Sequence, residues 1–189
     1  DNKEEFIKSR VKSINSVVLL VAPISIGAIV LSKPIIKILF ERGEFDIRAT
    51  SMTSVALIMY SIGMVAYGLR EILGKIFYSL KDTKTPMING VIAMIMNIIL
   101  NMILIKYLKM AGLALATSIS SIICIILLFR SLKKKIGYFG EDKIINTIMK
   151  SVISATIMGI ITHYGYNFLI TFLRNGVIDQ IIALLVTVI

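Results

Sequence analysis

Long apolar runs with few charged residues alternate along this chain with short segments rich in lysine and arginine. Five runs reach the roughly 20 residues that a helix needs to cross a bilayer, and they cover residues 14–40, 52–73, 86–105, 110–129 and 144–173. A sixth apolar run begins near Ile178 and reaches the last residue, Ile189. As a helix it would cover about half of the hydrocarbon core, so we expect a truncated span there.

These runs predict helices, because a segment in the hydrocarbon core must satisfy its backbone hydrogen bonds within a helix or a closed barrel. The chain lacks the roughly ten-residue alternation of apolar and polar side chains that marks barrel strands. We therefore predict an all-α, polytopic membrane helix bundle with about five complete transmembrane helices and a truncated sixth. Pro23 and Pro34 should kink the first span, whereas Pro86 lies at the first-turn position that proline favours.

Composition excludes an ordinary soluble domain. Apolar residues make up 57% of the chain, against roughly 45–50% in soluble domains, and a soluble protein would spread its charges over every helix. Residues 1–13 are polar and carry no secretory signal pattern. Because the chain starts at Asp1 rather than Met and stops within an apolar run, we expect both ends to be cut.

The number of lysines and arginines differs between alternate connections, which predicts the orientation in the membrane. Twelve lysines and arginines lie in the segment before the first run and in the second-to-third and fourth-to-fifth connections: Lys3, Lys8, Arg10, Lys12, Lys75, Lys81, Lys84, Arg130, Lys133, Lys134, Lys135 and Lys143. The opposite connections hold five: Arg42, Arg48, Lys106, Lys109 and Arg174. Cytoplasmic loops carry the excess of basic residues, so residues 1–13 are predicted to be cytoplasmic.

The net charge of +10 does not indicate a nucleic-acid partner. Basic residues such as those at 133–135 border apolar runs, which is typical of membrane proteins that face anionic phospholipid headgroups. Enzyme chemistry is not indicated either, because no catalytic triad, phosphate-binding loop or intramembrane carboxylate pair is present. The single Cys124 is interpreted as a packing residue, and the single His163 has no neighbours at metal-ligand spacing.

Three ionisable residues near the end of the second run are candidates to line a substrate cavity. Glu71 and Lys75 are four residues apart and can pair on one helix face. Arg70 points about 100° away from Glu71 and could face a cavity, and ionisable residues within spans are usually functional. The alternative is that all three side chains extend to the headgroups from a helix end. The residues alone leave both interpretations open.

Two asparagines in the third run, Asn97 and Asn101, lie four residues apart on one helix face. Thr117 in the fourth run is a plausible partner, and hydrogen bonds between helices are the common use of Asn and Thr in membrane bundles. The alternative is a site for a small hard cation such as Na⁺, because amide and hydroxyl oxygens suit such ions. No other cofactor is expected.

Motifs along the first 140 residues resemble, in order, landmarks of the MurJ (MviN) lipid II flippase family. The prolines of Ala22-Pro23 and Lys33-Pro34 precede LFERGEF at residues 39–45, which is similar to the family's "P…LFxRGxF" signature. YSIG at residues 60–63, FYSLKDTKTP at 77–86 and AGLALAT at 111–117 resemble the following landmarks, and FYSLKDTKTP is the most specific. Beyond residue 140 only hydropathy and helix number agree.

The resemblance implies that the chain is the C-terminal portion of a two-lobe transporter in the bacterial plasma membrane. Residues 1–140 would form most of the C-terminal lobe, and residues 141–189 would be additional helices that help to line a groove for a lipid tail. The implied substrate is an undecaprenyl-pyrophosphate-linked peptidoglycan precursor, moved between leaflets by alternating access. The implied partner is the N-terminal lobe of the same protein, which carries the family's cavity arginines.

Some members of this family are associated with a cation site between helices that match the third and fourth runs. Asn97, Asn101, the carbonyl group of Leu113 and Thr117 fall on those positions in this chain. Such members have a carboxylate where this chain has Asn101, and the loss of that charge should weaken Na⁺ binding.

Other functions stay open at this point. A related exporter of the same superfamily would carry another lipid-linked oligosaccharide or a drug, although the RGxF and FYSLKDTKTP blocks argue against it. A non-transporting membrane scaffold would lack arginine-bearing helices upstream of Asp1. A membrane enzyme is the least favoured, because no carboxylate or histidine pair lies within a span.

Overall fold

The computed structural model describes the backbone of residues 2–172 and the side chains of residues 9–171. This part of the chain folds into helices without a strand, which confirms the all-α prediction. The helices are α1 (Asn2–Val30), α2 (Ser32–Phe40), α3 (Ile47–Ile62), α4 (Met64–Ser79), α5 (Lys84–Leu108), α6 (Met110–Ile136) and α7 (Glu141–Phe172).

Four helices are individually long and apolar enough to cross a membrane: Ser9–Val30 within α1, Lys84–Leu108, Met110–Ile136 and Glu141–Thr171. Helices α3 and α4 also meet the criterion when taken together, as one span bent by 41°. The five spans confirm the number predicted from hydropathy. The sixth run, which begins near Ile178, lies outside the described residues.

The first predicted span is too long. Residues 14–40 do not form one kinked helix, because α1 ends at Val30 and the separate helix α2 begins at Ser32. The break lies just before Pro34, whose ring nitrogen has no hydrogen to donate to the preceding turn. Pro23, in contrast, lies inside α1, whose helical structure continues past it.

The core lies where α1, α4 and α6 meet. Large apolar side chains from these three helices are almost completely buried against each other, among them Ile14, Val18, Leu73, Phe77 and Leu128. Helix α5 packs along α6, and α7 packs along α1. Most of the remaining large apolar side chains on α5 and α7 are exposed, which is the expected state of surfaces that face lipid in a membrane.

The reversal between α5 and α6 is unusually tight, since only Lys109 separates the two helices. Lys109 has a φ angle of 51° and a ψ angle of −128°, a conformation that glycine adopts far more readily than lysine. Two residues into α6, Gly112 lies so close to the main chain of α5 that a Cβ atom there would be 2.4 Å from the carbonyl oxygen of Leu104. This contact brings the two helices close together.

The ends of successive helices alternate between two sides of the bundle. At one end, Lys135 near the end of α6 pairs with Asp82 before α5, and Lys133 pairs with Glu141 at the start of α7. At the other end, Leu31 after α1 packs against Tyr166 near the end of α7. The basic connections after α4 and α6 therefore meet at one end of the bundle, which we call the basic end.

Candidate functional site

A cavity of about 870 Å³ opens between α4 and α5. One face of α4 supplies its charged and aromatic lining, and α5 supplies mainly apolar side chains. The lining residues are Tyr67, Arg70, Glu71, Gly74, Lys75, Tyr78, Pro86, Met87, Gly90, Val91, Met94 and Leu128. Arg70, Glu71 and Lys75, the three residues that the sequence suggested for a substrate cavity, therefore all line this cavity.

The charges in this cavity do not cancel. Glu71 and Lys75 form an ion pair of 3.4 Å across one helical turn, with both side chains exposed. Arg70 extends toward α5, where a Cβ atom at Gly90 would lie 3.6 Å from its Nη2 atom. Among the described side chains no carboxylate forms an ion pair with Arg70, so the cavity carries one uncompensated positive charge. Such a cavity favours an anionic group.

The position of Arg70 bears on the alternative that these side chains only extend from a helix end. Arg70 is nine residues before Ser79, the last residue of α4, which corresponds to about 13 Å along the helix axis. Lys75 is four residues before that end, within reach of a headgroup region. The alternative therefore suits Lys75 better than Arg70.

Sequence analysis missed the tyrosines of this cavity. Tyr67 and Tyr78 lie on the same face of α4 as Glu71 and Gly74, because the spacing follows the turns of the helix. The hydroxyl oxygen of Tyr67 is buried and has no hydrogen-bond partner within the described part of the chain. The spacing of 67, 71, 74 and 78 was a signal that could have identified them.

A second polar cluster joins α5 to α6. Asn97 donates from its Nδ2 atom toward Thr117 Oγ1 at 3.3 Å and Ser120 Oγ at 3.2 Å. Asn101 donates to Asn97 Oδ1 at 3.0 Å, and Thr117 donates to the carbonyl oxygen of Leu113 at 2.9 Å. The structure thus connects all four residues of the predicted cation site. Ser120 was missed, although it lies three residues after Thr117 on the same face of α6.

The donor set of this cluster fits a cation only in part. Asn101 Oδ1 is buried and has no hydrogen-bond partner within residues 9–171, so one oxygen is free to coordinate. The oxygens of Asn97, Thr117 and Leu113 already accept hydrogen bonds from neighbours in the cluster. No carboxylate belongs to this set, and hydrogen bonding between helices already accounts for most of its polar atoms.

A third polar group lies at the basic end, before α5. Asp82 accepts hydrogen bonds from the backbone N–H of Thr85 at 3.0 Å and from its hydroxyl at 2.8 Å, and it pairs with Lys135 at 2.5 Å. The hydrogen bond from Lys135, followed by those from Thr85, holds the pKa of Asp82 well below its ordinary value. The carboxylate is therefore charged throughout the physiological range and ties the α4–α5 connection to α6.

Comparison with known proteins identifies the family. The family of the lipid II flippase MurJ matches residues 1–185 of this chain. A probable lipid II flippase MurJ of Vibrio cholerae serotype O1 is 33% identical over 171 residues, which are 90% of this chain and 33% of that protein. The lipid II flippase MurJ of Thermosipho africanus is 41% identical over 112 residues, 59% of this chain and 23% of that protein.

The fold agrees with the same family. The solved structure of a lipid II flippase MurJ in an inward closed conformation superposes with a TM-score of 0.78 and 29% sequence identity. The superposition covers 97% of this chain and 37% of that structure. The chain thus spans about a third of the length of the proteins it matches. Sequence and fold agree over nearly the whole chain, and the chain belongs to the MurJ lipid II flippase family.

Proposed function

We propose that this chain is the C-terminal portion of a flippase that moves a lipid-linked peptidoglycan precursor across the bacterial plasma membrane by alternating access. The observation that carries the proposal is the positively charged cavity between α4 and α5, in a bundle whose fold matches a lipid II flippase. An enzyme function receives no support from this family. The substrate is the undecaprenyl-pyrophosphate-linked precursor, lipid II.

The chemistry of this cavity suits a pyrophosphate group. A charged headgroup cannot cross about 30 Å of hydrocarbon unaided, so a transporter must replace its hydration with fixed polar groups. Arg70 offers a planar guanidinium, which binds phosphate oxygens in a bidentate manner. Glu71 holds Lys75 by an ion pair and reduces the excess of positive charge. A moderate excess of positive charge lets the pyrophosphate group enter the cavity and also leave it.

The orientation and the division of the chain belong to the same proposal. Residues 1–13 lie on the cytoplasmic side, where the basic end faces anionic phospholipid headgroups. Residues 1–140 form most of the C-terminal lobe, and residues 141–189 contribute additional helices. The packing of α7 along α1 is consistent with an added helix on the outside of a lobe. The N-terminal lobe of the same protein completes the translocation path.

Complementation tests the function. The full-length protein carrying this segment should restore growth to bacteria depleted of their lipid II flippase. The Arg70→Gln variant should reduce flipping of lipid II in vesicles by about 10-fold or more, because a hydrogen bond to a charged group contributes about 1.5–3 kcal/mol. Arg48→Gln is the matched control, since Arg48 is also exposed but lies outside the cavity.

Three outcomes would redirect the proposal. If the full-length protein restores no growth but exports another lipid-linked oligosaccharide or a drug, the chain belongs to an exporter with different specificity. If it moves no lipid at all, a membrane scaffold becomes the better interpretation. If Arg70→Gln and Arg48→Gln reduce flipping equally, Arg70 has no special part in the substrate cavity.

We propose Na⁺ binding as a second, weaker function of the cluster formed by Asn97, Asn101, Leu113 and Thr117. The unpartnered oxygen of Asn101 supports it, and the missing carboxylate limits its strength. Asn101→Asp should make the thermal stability of the full-length protein rise when Na⁺ replaces K⁺ at equal ionic strength. If neither stability nor transport of that variant depends on Na⁺, the cation site is rejected.

A further inference from the structure

The span formed by α3 and α4 is interrupted at Gly63, where its two halves meet at an angle of 41°. The Gly63 N–H bonds to the carbonyl oxygen of Tyr60, three residues back, at 3.0 Å. In an uninterrupted α-helix it would bond to Met59, four residues back. The carbonyl oxygen of Met59 thereby loses its ordinary donor in the middle of an apolar span, where an unpaired carbonyl is costly.

Two serines from neighbouring helices compensate for this interruption. Ser118 on α6 donates its hydroxyl to the carbonyl oxygen of Met59 at 2.6 Å. Ser25 on α1 donates to the carbonyl oxygen of Ser61 at 2.5 Å. Both serines are buried, so no water competes for these acceptors. Side chains of two other helices thus supply donors to carbonyl oxygens at the break, in addition to the backbone hydrogen bonds made by Gly63.

Gly63 allows this contact because it has no side chain. A Cβ atom there would lie 2.7 Å from Ser118 Oγ and 2.8 Å from Ser118 Cα, closer than such atoms approach in proteins. Within α3, the hydroxyls of Ser54 and Ser61 donate to carbonyls four residues earlier, a pattern that bends helices.

The two halves of the span are anchored very differently. The buried residues of α4 are all apolar: Ala66, Leu69, Leu73, Ile76 and Phe77. The buried residues of α3 are small and hydroxylated, namely Thr50, Ser54 and Ser61. Helices in a membrane associate through van der Waals packing and hydrogen bonds. Helix α4 places large apolar side chains in the core, whereas α3 packs on α6, α2 and α1 with small buried residues and receives the bonds from Ser118 and Ser25.

We propose that Gly63 is a hinge about which α3 swings relative to the fixed α4, and that the bonds from Ser118 and Ser25 latch one position. Motion of α3 changes these few hydrogen bonds and small-residue contacts, whereas motion of α4 would disrupt the packing of large buried side chains. The 16 residues of α3 extend about 24 Å. A change of about 10° at Gly63 therefore moves the Asp46 end by about 4 Å. The hinge would open or close the end of the bundle opposite the basic end.

Distances between pairs of spin labels, measured by pulsed electron–electron double resonance, test the hinge on the full-length protein in phospholipid vesicles. With Cys124 and any cysteine outside this segment replaced by Ala, one spin-label pair is placed at Ile47 and Tyr107, both well exposed at the end of the bundle that should move. A second pair, at Ser79 and Lys134, reports on the basic end. Ser25→Ala combined with Ser118→Ala removes both latch bonds, and Ser121→Ala is the matched control, a buried serine on α6 without a described bond to α3.

The double variant should shift or broaden the distance between the labels at 47 and 107, by about 4 Å for each 10° of motion at Gly63. The distance between the labels at 79 and 134 should stay unchanged, as should both distances in Ser121→Ala. An unchanged distance between 47 and 107 would overturn the hinge, and so would equal changes in both pairs. The role of the hinge in transport rests on the proposed function. The distances themselves require no transport, so failure of the hinge and failure of the flippase assay are distinguishable.

Discussion

Replacing Gly112 with alanine should separate α5 from α6 at their tight reversal. The new Cβ atom would lie 2.4 Å from the carbonyl oxygen and 2.7 Å from the carbonyl carbon of Leu104. Restoring an ordinary contact of about 3.4 Å requires about 1 Å of movement. The obstructing atoms belong to the main chain, so a side-chain rotation cannot relieve the clash.

The expected magnitude follows from two opposing terms. Overpacking typically destabilises by about 1–3 kcal/mol, whereas alanine favours the helix over glycine by about 1 kcal/mol. The displacement would also lengthen the 3.3 Å hydrogen bond between Asn97 and Thr117, with a further loss of about 1 kcal/mol. We therefore expect a net loss of roughly 1–3 kcal/mol in the free energy of unfolding.

Thermal or denaturant unfolding of the full-length protein in detergent measures this effect. Gly27→Ala is the control, because Gly27 lies in α1 and a Cβ atom added there would meet no other atom within 4 Å. That variant should be neutral or more stable by up to about 1 kcal/mol. If Gly112→Ala is as stable as Gly27→Ala, the close approach of α5 to α6 at Leu104 is not present in solution.

Three further changes have defined outcomes. Asp82→Asn should make the free energy of unfolding less sensitive to acid. The pKa of Asp82 is lowered in the folded state. The charged carboxylate therefore stabilises the fold fully above its ordinary pKa of about 4, and this stabilisation is lost as the pH falls below that value. Unfolding measured from pH 7 to pH 3 should show a smaller decline for the variant, and identical curves would contradict the Lys135 pairing. Lys109→Gly should stabilise by about 1 kcal/mol in the same unfolding assay, because it relieves the φ angle of 51°, and a loss of stability would speak against the strained reversal. Phe77→Ala should destabilise by about 3–5 kcal/mol, since this side chain is completely buried, whereas Phe40→Ala, at an exposed position, should have little effect; equal losses would contradict the placement of the core.

The sequence was sufficient to predict the class of fold and the number of spans. Each helix that crosses a membrane must be apolar over a minimum length, and this requirement is local, so it is visible in a single run of residues. The four-residue spacing of Asn97 and Asn101, with Thr117 in the next run, likewise predicted a polar contact between helices that the structure contains. The ion pair between Glu71 and Lys75 was predicted from the same helical spacing.

The tertiary structure decided what depends on distances between helices. Hydropathy could not distinguish a kinked first span from α1 followed by α2, because the break depends on where the turn before Pro34 loses its hydrogen bonds. Tyr67 lines a cavity together with residues of α5 that lie far from it in the chain. Ser25 and Ser118 likewise donate hydrogen bonds next to Gly63 from distant parts of the chain. The apolar pattern along each helix determines that the helix enters the membrane, whereas the packing of small residues such as Gly63 and Gly112 determines which neighbour it contacts and how closely.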